Sequence, residues 1–171
     1  MDWAKAKTIL IVVLLAVCLV LTGMLVVRDV KAVNQLNENK EAALLYLEDR
    51  GVKVFADVPT KRIKLPVLFV EYNSANETAM TYEKYEVLTN SESSKGYVLS
   101  SAGERSAEVM PASSALLEAA VMFGPDELEI NRINLCYYID DSAPISNGSQ
   151  DTAFPAWFVE TNKGTCFVLA Y

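Results

Sequence analysis

The apolar positions of this chain form one unbroken block followed by many short runs. Thr8 to Val27 reads TILIVVLLAVCLVLTGMLVV, without a charge, and fourteen of its twenty residues are Ile, Leu or Val. At about 1.5 Å per residue, a helix of that length spans about 30 Å, the hydrocarbon thickness of a bilayer. A soluble core helix would show a polar stripe, and none occurs here. The pattern predicts one transmembrane helix over residues 8–27, preceded by a tail at 1–7. A cleaved signal peptide has an apolar region of about 7–15 residues ending at an A-x-A-like site. This run is longer and is followed by RDVKAV. Cys18 has Val17 before it and an apolar stretch after it, which does not fit lipidation.

Beyond the block the periodicity changes. Residues 28–36 read as a juxtamembrane stalk. Asn34, Asn37 and Asn39 weaken a continuing helix, because Asn is a poor interior residue and a good cap. A second helix is predicted over 37–50, with Leu36, Ala43, Leu44 and Leu47 on its apolar side and Gly51 just past its end. Strands are predicted at 52–58, 64–73, 82–89 and 97–101. Pro111, Ser113, Ser114 and Gly124 frame a helix over 111–124. A long strand at 128–139 and a loop at 140–151 follow. The chain ends in a hairpin of 154–161 and 165–171. The fold class is therefore α+β, a mostly antiparallel sheet with two packed helices, occupying 37–171. A helix followed by strands occurs twice, which raises 37–110 and 111–171 as possible halves.

Charge and composition narrow the function. Net charge is −7, and residues 32–171 carry 11 basic against 20 acidic side chains. That balance disfavours nucleic acid and an anionic membrane face as partners of the domain. It agrees with an N terminus in the cytoplasm and a translocated domain. The chain has no histidine, which removes His-based triads and His-ligated zinc. No P-loop, G-x-S-x-G or S-x-x-K motif is present. The acidic groups at Asp126, Glu127 and Glu129 and at Asp140 and Asp141 lack the spacing of a calcium loop. No catalytic residue, metal site or cofactor is expected. Asn76-Glu77-Thr78 and Asn147-Gly148-Ser149 are formal glycosylation triplets. Cys136 and Cys166 could pair if their strands are neighbours; otherwise they are small apolar thiols of a core.

Two candidate contact surfaces stand out. Ile9, Val12, Ala16, Gly23 and Val27 share one face of the apolar helix, and small residues there let another helix approach. Trp157, Phe158, Phe167 and Tyr171 crowd the final hairpin, beside Tyr137 and Tyr138. They are either a partner surface or rings that the strands bury against the helix at 111–124.

The opening Met1-Asp2-Trp3-Ala4-Lys5-Ala6-Lys7-Thr8-Ile9 resembles the start of the YycI (WalI) family, whose members begin Met-Asp-Trp-Ser-Lys and enter a membrane helix at once. The helix ending at Gly51, the following VKVFADVP and LPVLFV, and the Pro155-Ala156-Trp157 strand before the Gly164 turn are similar in pattern to that family and to PepSY-like modules. The resemblance implies a non-enzymatic accessory protein of low-GC Gram-positive bacteria. With a YycH-like membrane protein it would bind the sensor histidine kinase YycG (WalK) and adjust its activity, and so influence cell-wall metabolism. The alternative is a membrane-tethered PepSY-like module that binds a peptidase or a wall component.

Overall fold

A computed structural model describes residues 3–90, 93–141 and 146–171. The chain divides into two compact units, Met1–Glu38 and Asn39–Tyr171. Helix α1 (Trp3–Asp49) runs without interruption through the expected stalk, so 28–36 and 37–50 are not separate elements. The reason is energetic. Each Asn costs a helix interior only about 0.5–0.7 kcal/mol, and no Pro or Gly lies between Gly23 and Gly51 to break the hydrogen-bond ladder. The end of α1 is well defined. Gly51 takes φ 81°, its N–H donates to Glu48 O (2.9 Å), and Val52 N–H donates to Leu47 O (2.9 Å). These are the two bonds of a Schellman cap, and the apolar pair that accompanies it, Leu47 and Val52, is buried in the core.

From Asn39 onward the unit is α+β, with a mostly antiparallel, curled sheet and one further helix. The strands are β1 (Lys53–Val54), β2 (Lys64–Tyr72), β3 (Thr81–Tyr82), β4 (Tyr85–Thr89), β5 (Tyr97–Glu108), β6 (Glu129–Ile139), β7 (Gln150–Thr161) and β8 (Gly164–Leu169). Helix α2 (Ala112–Phe123) precedes β6. The sheet order is β3-β4-β6-β7-β2-β5, with β1 also on β6 and β8 also on β7. β1 and β4 run parallel to β6; the other pairs are antiparallel. Strands of the two possible halves interleave, since β2 lies beside β7 and β4 beside β6. Residues 37–110 and 111–171 therefore do not form separate units.

Local differences from the expected elements have simple causes. The alternation at 82–89 conceals a hairpin: Glu83, at φ 54°, turns the chain so that Tyr82 faces Tyr85. β5 extends to Glu108 because SAGERSAE pairs with β2 while its side chains stay in solvent, so no apolar period marks it. β7 begins at Gln150, inside the expected loop, where Gln150 and Asp151 pair with β2. Residues 142–145 of that loop lie outside the described residues. β1 is only two residues long, since Asp57 to Ile63 leave the sheet before β2 begins.

The core lies between α2 and the sheet's inner face. Ala112, Ala115, Leu116 and Ala119 recur at helical spacing and are buried, and their small size brings α2 close to β7 and β8. Leu68, Val70, Leu128, Ile130, Tyr137 and Val159 complete the packing. Lys163 Nζ donates to the carbonyls of Phe123, Gly124 and Asp126 (3.4, 3.4 and 2.6 Å), placing a cation on the C-terminal end of α2.

Candidate functional site

The apolar span of α1 is long and apolar enough to cross a membrane, and none of it is buried by the rest of the described chain. A single N-terminal helix of this kind is consistent with a membrane anchor or a signal sequence. Val12, Ala16, Gly23 and Val27 are all exposed, as are the large apolar residues around the remaining circumference. Ile9 belongs to the helix, but its side chain lies outside the described residues, as does that of Trp3. A Cβ placed on Gly23 would meet nothing within 4 Å. Thr22 donates its hydroxyl to Cys18 O (2.8 Å), so the one polar pair in the middle of the span is satisfied within the helix.

The aromatic hairpin splits between two faces. Successive strand residues point to opposite sides of a sheet, and Trp157 and Phe158 obey that rule. Trp157 is buried in the core, where its Nε1–H donates to Met110 O (2.8 Å). Phe158 points outward and joins Cys136, Ala156, Tyr138, Phe167 and Leu88 in a second apolar cluster. Phe167 stacks on Tyr138 at 4.5 Å and leans on Phe158 at 5.4 Å. Tyr171 is half exposed, with its hydroxyl donating to Leu65 O (3.0 Å). The four rings thus divide between the core and an outer apolar cluster.

The outer face carries more apolar surface than those four residues indicated. Phe69, Phe154 and Leu169 are exposed there, at 47%, 39% and 50%. The register aligns Tyr138 with Phe154, Ala156 with Leu169, Asn134 with Phe158 and Phe158 with Phe167, so the rings form adjacent rows. The signal for Phe154 was available, since 154, 156 and 158 alternate with the buried 153, 157 and 159. Phe69 comes from β2, and only the sheet order brings it to this face.

The cysteines do not pair. β6 and β8 flank β7 on opposite sides, with Cys136 opposite Ala156 and Cys166 opposite Val159. Two strand spacings of about 4.8 Å already exceed the Cα separation of roughly 4.4–6.8 Å that a disulfide needs. Burial, slightly offset by a backbone hydrogen bond, pushes the Cys136 thiol up to about 12, and burial raises that of Cys166 as well. A raised thiol keeps its proton at neutral pH and is a poor nucleophile. In a Cys18→Ser background, the folded protein at pH 8 should react with a disulfide reagent at Cys136 only on unfolding. Rapid modification of Cys136 in the native state would contradict this placement.

Two members of the acidic clusters are engaged locally. Glu129 meets Lys53 Nζ at 3.0 Å, and Asp141 accepts from Asn90 N–H. Of the two glycosylation triplets, Asn76 spends its amide nitrogen on Tyr97 O (2.7 Å) and Thr78 O (3.2 Å), and Asn147 Oδ1 accepts from Ser74 N–H. Among the described residues no three Cys, Asp or Glu side chains converge on a common point.

A groove of about 690 Å³ lies along one edge of β6. β1 covers that edge at Glu129 and Ile130, and β4 covers it from Tyr137 to Ile139. Among the described residues, 131–136 have no strand partner there. The segment that follows β1 supplies one wall through Asp57, Pro59 and Ile63; the turn before β4 and β4 itself supply the other, through Lys84 and through Glu86 and Leu88. Comparison of the chain with protein-family models, with curated protein sequences and with solved structures found no match.

Proposed function

We propose that the chain is a non-enzymatic regulatory subunit that modulates a membrane sensor histidine kinase of a cell-wall-controlling two-component system. In this reading α1 is a single membrane pass, with the N terminus in the cytoplasm and the α+β unit outside. The observation that carries it is the N-terminal run: Met1 to Ile9 resembles the start of YycI (WalI) proteins and leads directly into the apolar span. Two surfaces support it. One is the exposed Val12, Ala16, Gly23 and Val27 face of the helix, suited to a kinase or YycH-like helix in lipid. The other is the outer face of the sheet, where Phe69, Phe154 and Leu169 are exposed, suited to contact outside the membrane.

Regulation of this kind requires different affinities for the kinase's two signalling states; about 1.4 kcal/mol of difference shifts the balance tenfold. The test is co-purification from membranes with the kinase, alongside kinase output in cells that lack the protein. Association and altered output are expected. Absence of association together with unchanged output would overturn the reading.

The aromatic face also favours a second reading, a PepSY-like module that α1 merely tethers, for a peptidase or a wall component. Replacing 8–27 with an unrelated apolar helix separates the two. Loss of regulation supports contact within the bilayer, and full retention supports the tether.

A further inference from the structure

We propose that the β6 edge between β1 and β4 is a docking slot for an extended peptide segment of a partner protein, which it binds by strand addition. The backbone geometry leads there first. Phe55 N–H donates to Ile130 O, which ends the β1 ladder. On the other side, Val87 N–H donates away from β6, to Met80 O, so its neighbour Leu88 turns its backbone toward β6. The parallel register of Leu88 with Tyr138 then directs Tyr137 and Ile139 at β4, and strand alternation carries that direction back to Leu135 and Ile133. Their peptide groups face the groove with no ladder partner among the described residues. Asn134 supplies a local stand-in. With its amide oriented to satisfy both neighbours, its nitrogen donates to Ile133 O (2.8 Å) and its oxygen accepts from Arg132 (2.8 Å).

The walls define the occupant. Ile63, Ile133 and Trp157 belong to the inner core, while Leu88, Cys136 and Phe158 belong to the outer cluster, and all six line the groove. A strand inserted here meets apolar surface on both of its faces, the situation of a central strand rather than an edge strand. Asp57 and Glu86 balance Lys84 and Arg132, so the lining favours no net charge. Six residues of edge span about 20 Å at about 3.3 Å each. The segment that fits is uncharged, rich in β-branched residues and four to six residues long. Main-chain bonds would supply affinity and the two apolar walls selectivity, as in strand addition generally. This inference does not rest on the kinase reading, since any membrane or secreted protein could present such a segment.

The test uses the full chain in detergent micelles and a fluorescein-labelled, uncharged hexapeptide, Thr-Val-Ile-Val-Thr-Val. Saturable binding is expected. Methylating the two peptide nitrogens that face β6 should weaken it by about tenfold or more, because those nitrogens can no longer donate to the edge. Amide exchange at Ile133 and Leu135 should slow when the peptide binds. Leu135→Pro removes one edge N–H and should abolish binding; should that variant fail to fold, the methylated peptide carries the test. No saturation up to millimolar peptide would overturn the proposal. So would equal binding of the methylated peptide, or protection of the edge through self-association of the chain without peptide.

Discussion

With α1 as the proposed membrane pass, replacing both Leu14 and Leu19 with arginine is expected to strip the protein from the membrane fraction. The fourteen Ile, Leu and Val residues of 8–27 contribute roughly −4 to −8 kcal/mol on an insertion scale, and each Leu-to-Arg change near the helix centre costs about 3 kcal/mol. Two changes bring the sum close to zero, whereas one leaves a surplus. Both positions are exposed in the structure, at 64% for Leu14 and 73% for Leu19, so no described part of the chain shelters the new charges. Flotation and alkaline extraction read the result. The single variants should remain largely membrane-bound and the pair should not. Unchanged extraction of the double variant would show that the segment is held by something other than insertion.

The second large effect is in the α+β unit. Trp157→Ala should destabilise it by about 3–5 kcal/mol, a large part of the roughly 5–15 kcal/mol that holds such a domain together. Trp157 is 3% exposed and also satisfies Met110 O, which ties β7 to the residues entering α2. Trp157→Phe keeps most of the burial and should lose mainly the hydrogen bond, about 1 kcal/mol. Phe158→Ala, one residue along on the outer cluster, should cost less than Trp157→Ala because fewer neighbours surround the ring. Urea unfolding of the full chain in mild detergent, followed by far-ultraviolet circular dichroism, gives the order. Equal losses at 157 and 158 would contradict the two-faced placement of this strand.

Elements whose signal is local were legible. The apolar span needs only length and the absence of charge. α2 lies within one residue of its expected bounds because Pro111 and Gly124 punctuate it. β6 and β8 carry dense apolar positions and fall close to 128–139 and 165–171. Two of the misses share an origin. β5 past Ser101 and the start of β7 are polar segments held in the sheet by partners distant in sequence. The unbroken α1 is the opposite case, where several small propensity costs suggested a break that no Pro or Gly enforces.

The candidate surfaces divide along the same line. The Ile9, Val12, Ala16, Gly23 and Val27 face follows from helical spacing alone. The aromatic group of 157, 158, 167 and 171 was found as a cluster, yet its division into a core Trp and an outer face required the strand register. Cys136 and Cys166 were both placed on strands, but β7 between them decides that they cannot pair.

By itself, the sequence determined that one apolar helix precedes an acidic α+β unit, because hydrophobic length and period are properties of the chain read in order. Tertiary structure alone decided which strands are neighbours. Pairing joins backbone groups far apart in sequence, and side-chain patterns do not specify their partners. That decision brings Phe69 and Phe154 to the same outer face, keeps the two thiols apart, and, among the described residues, leaves six residues of β6 without a strand partner between β1 and β4.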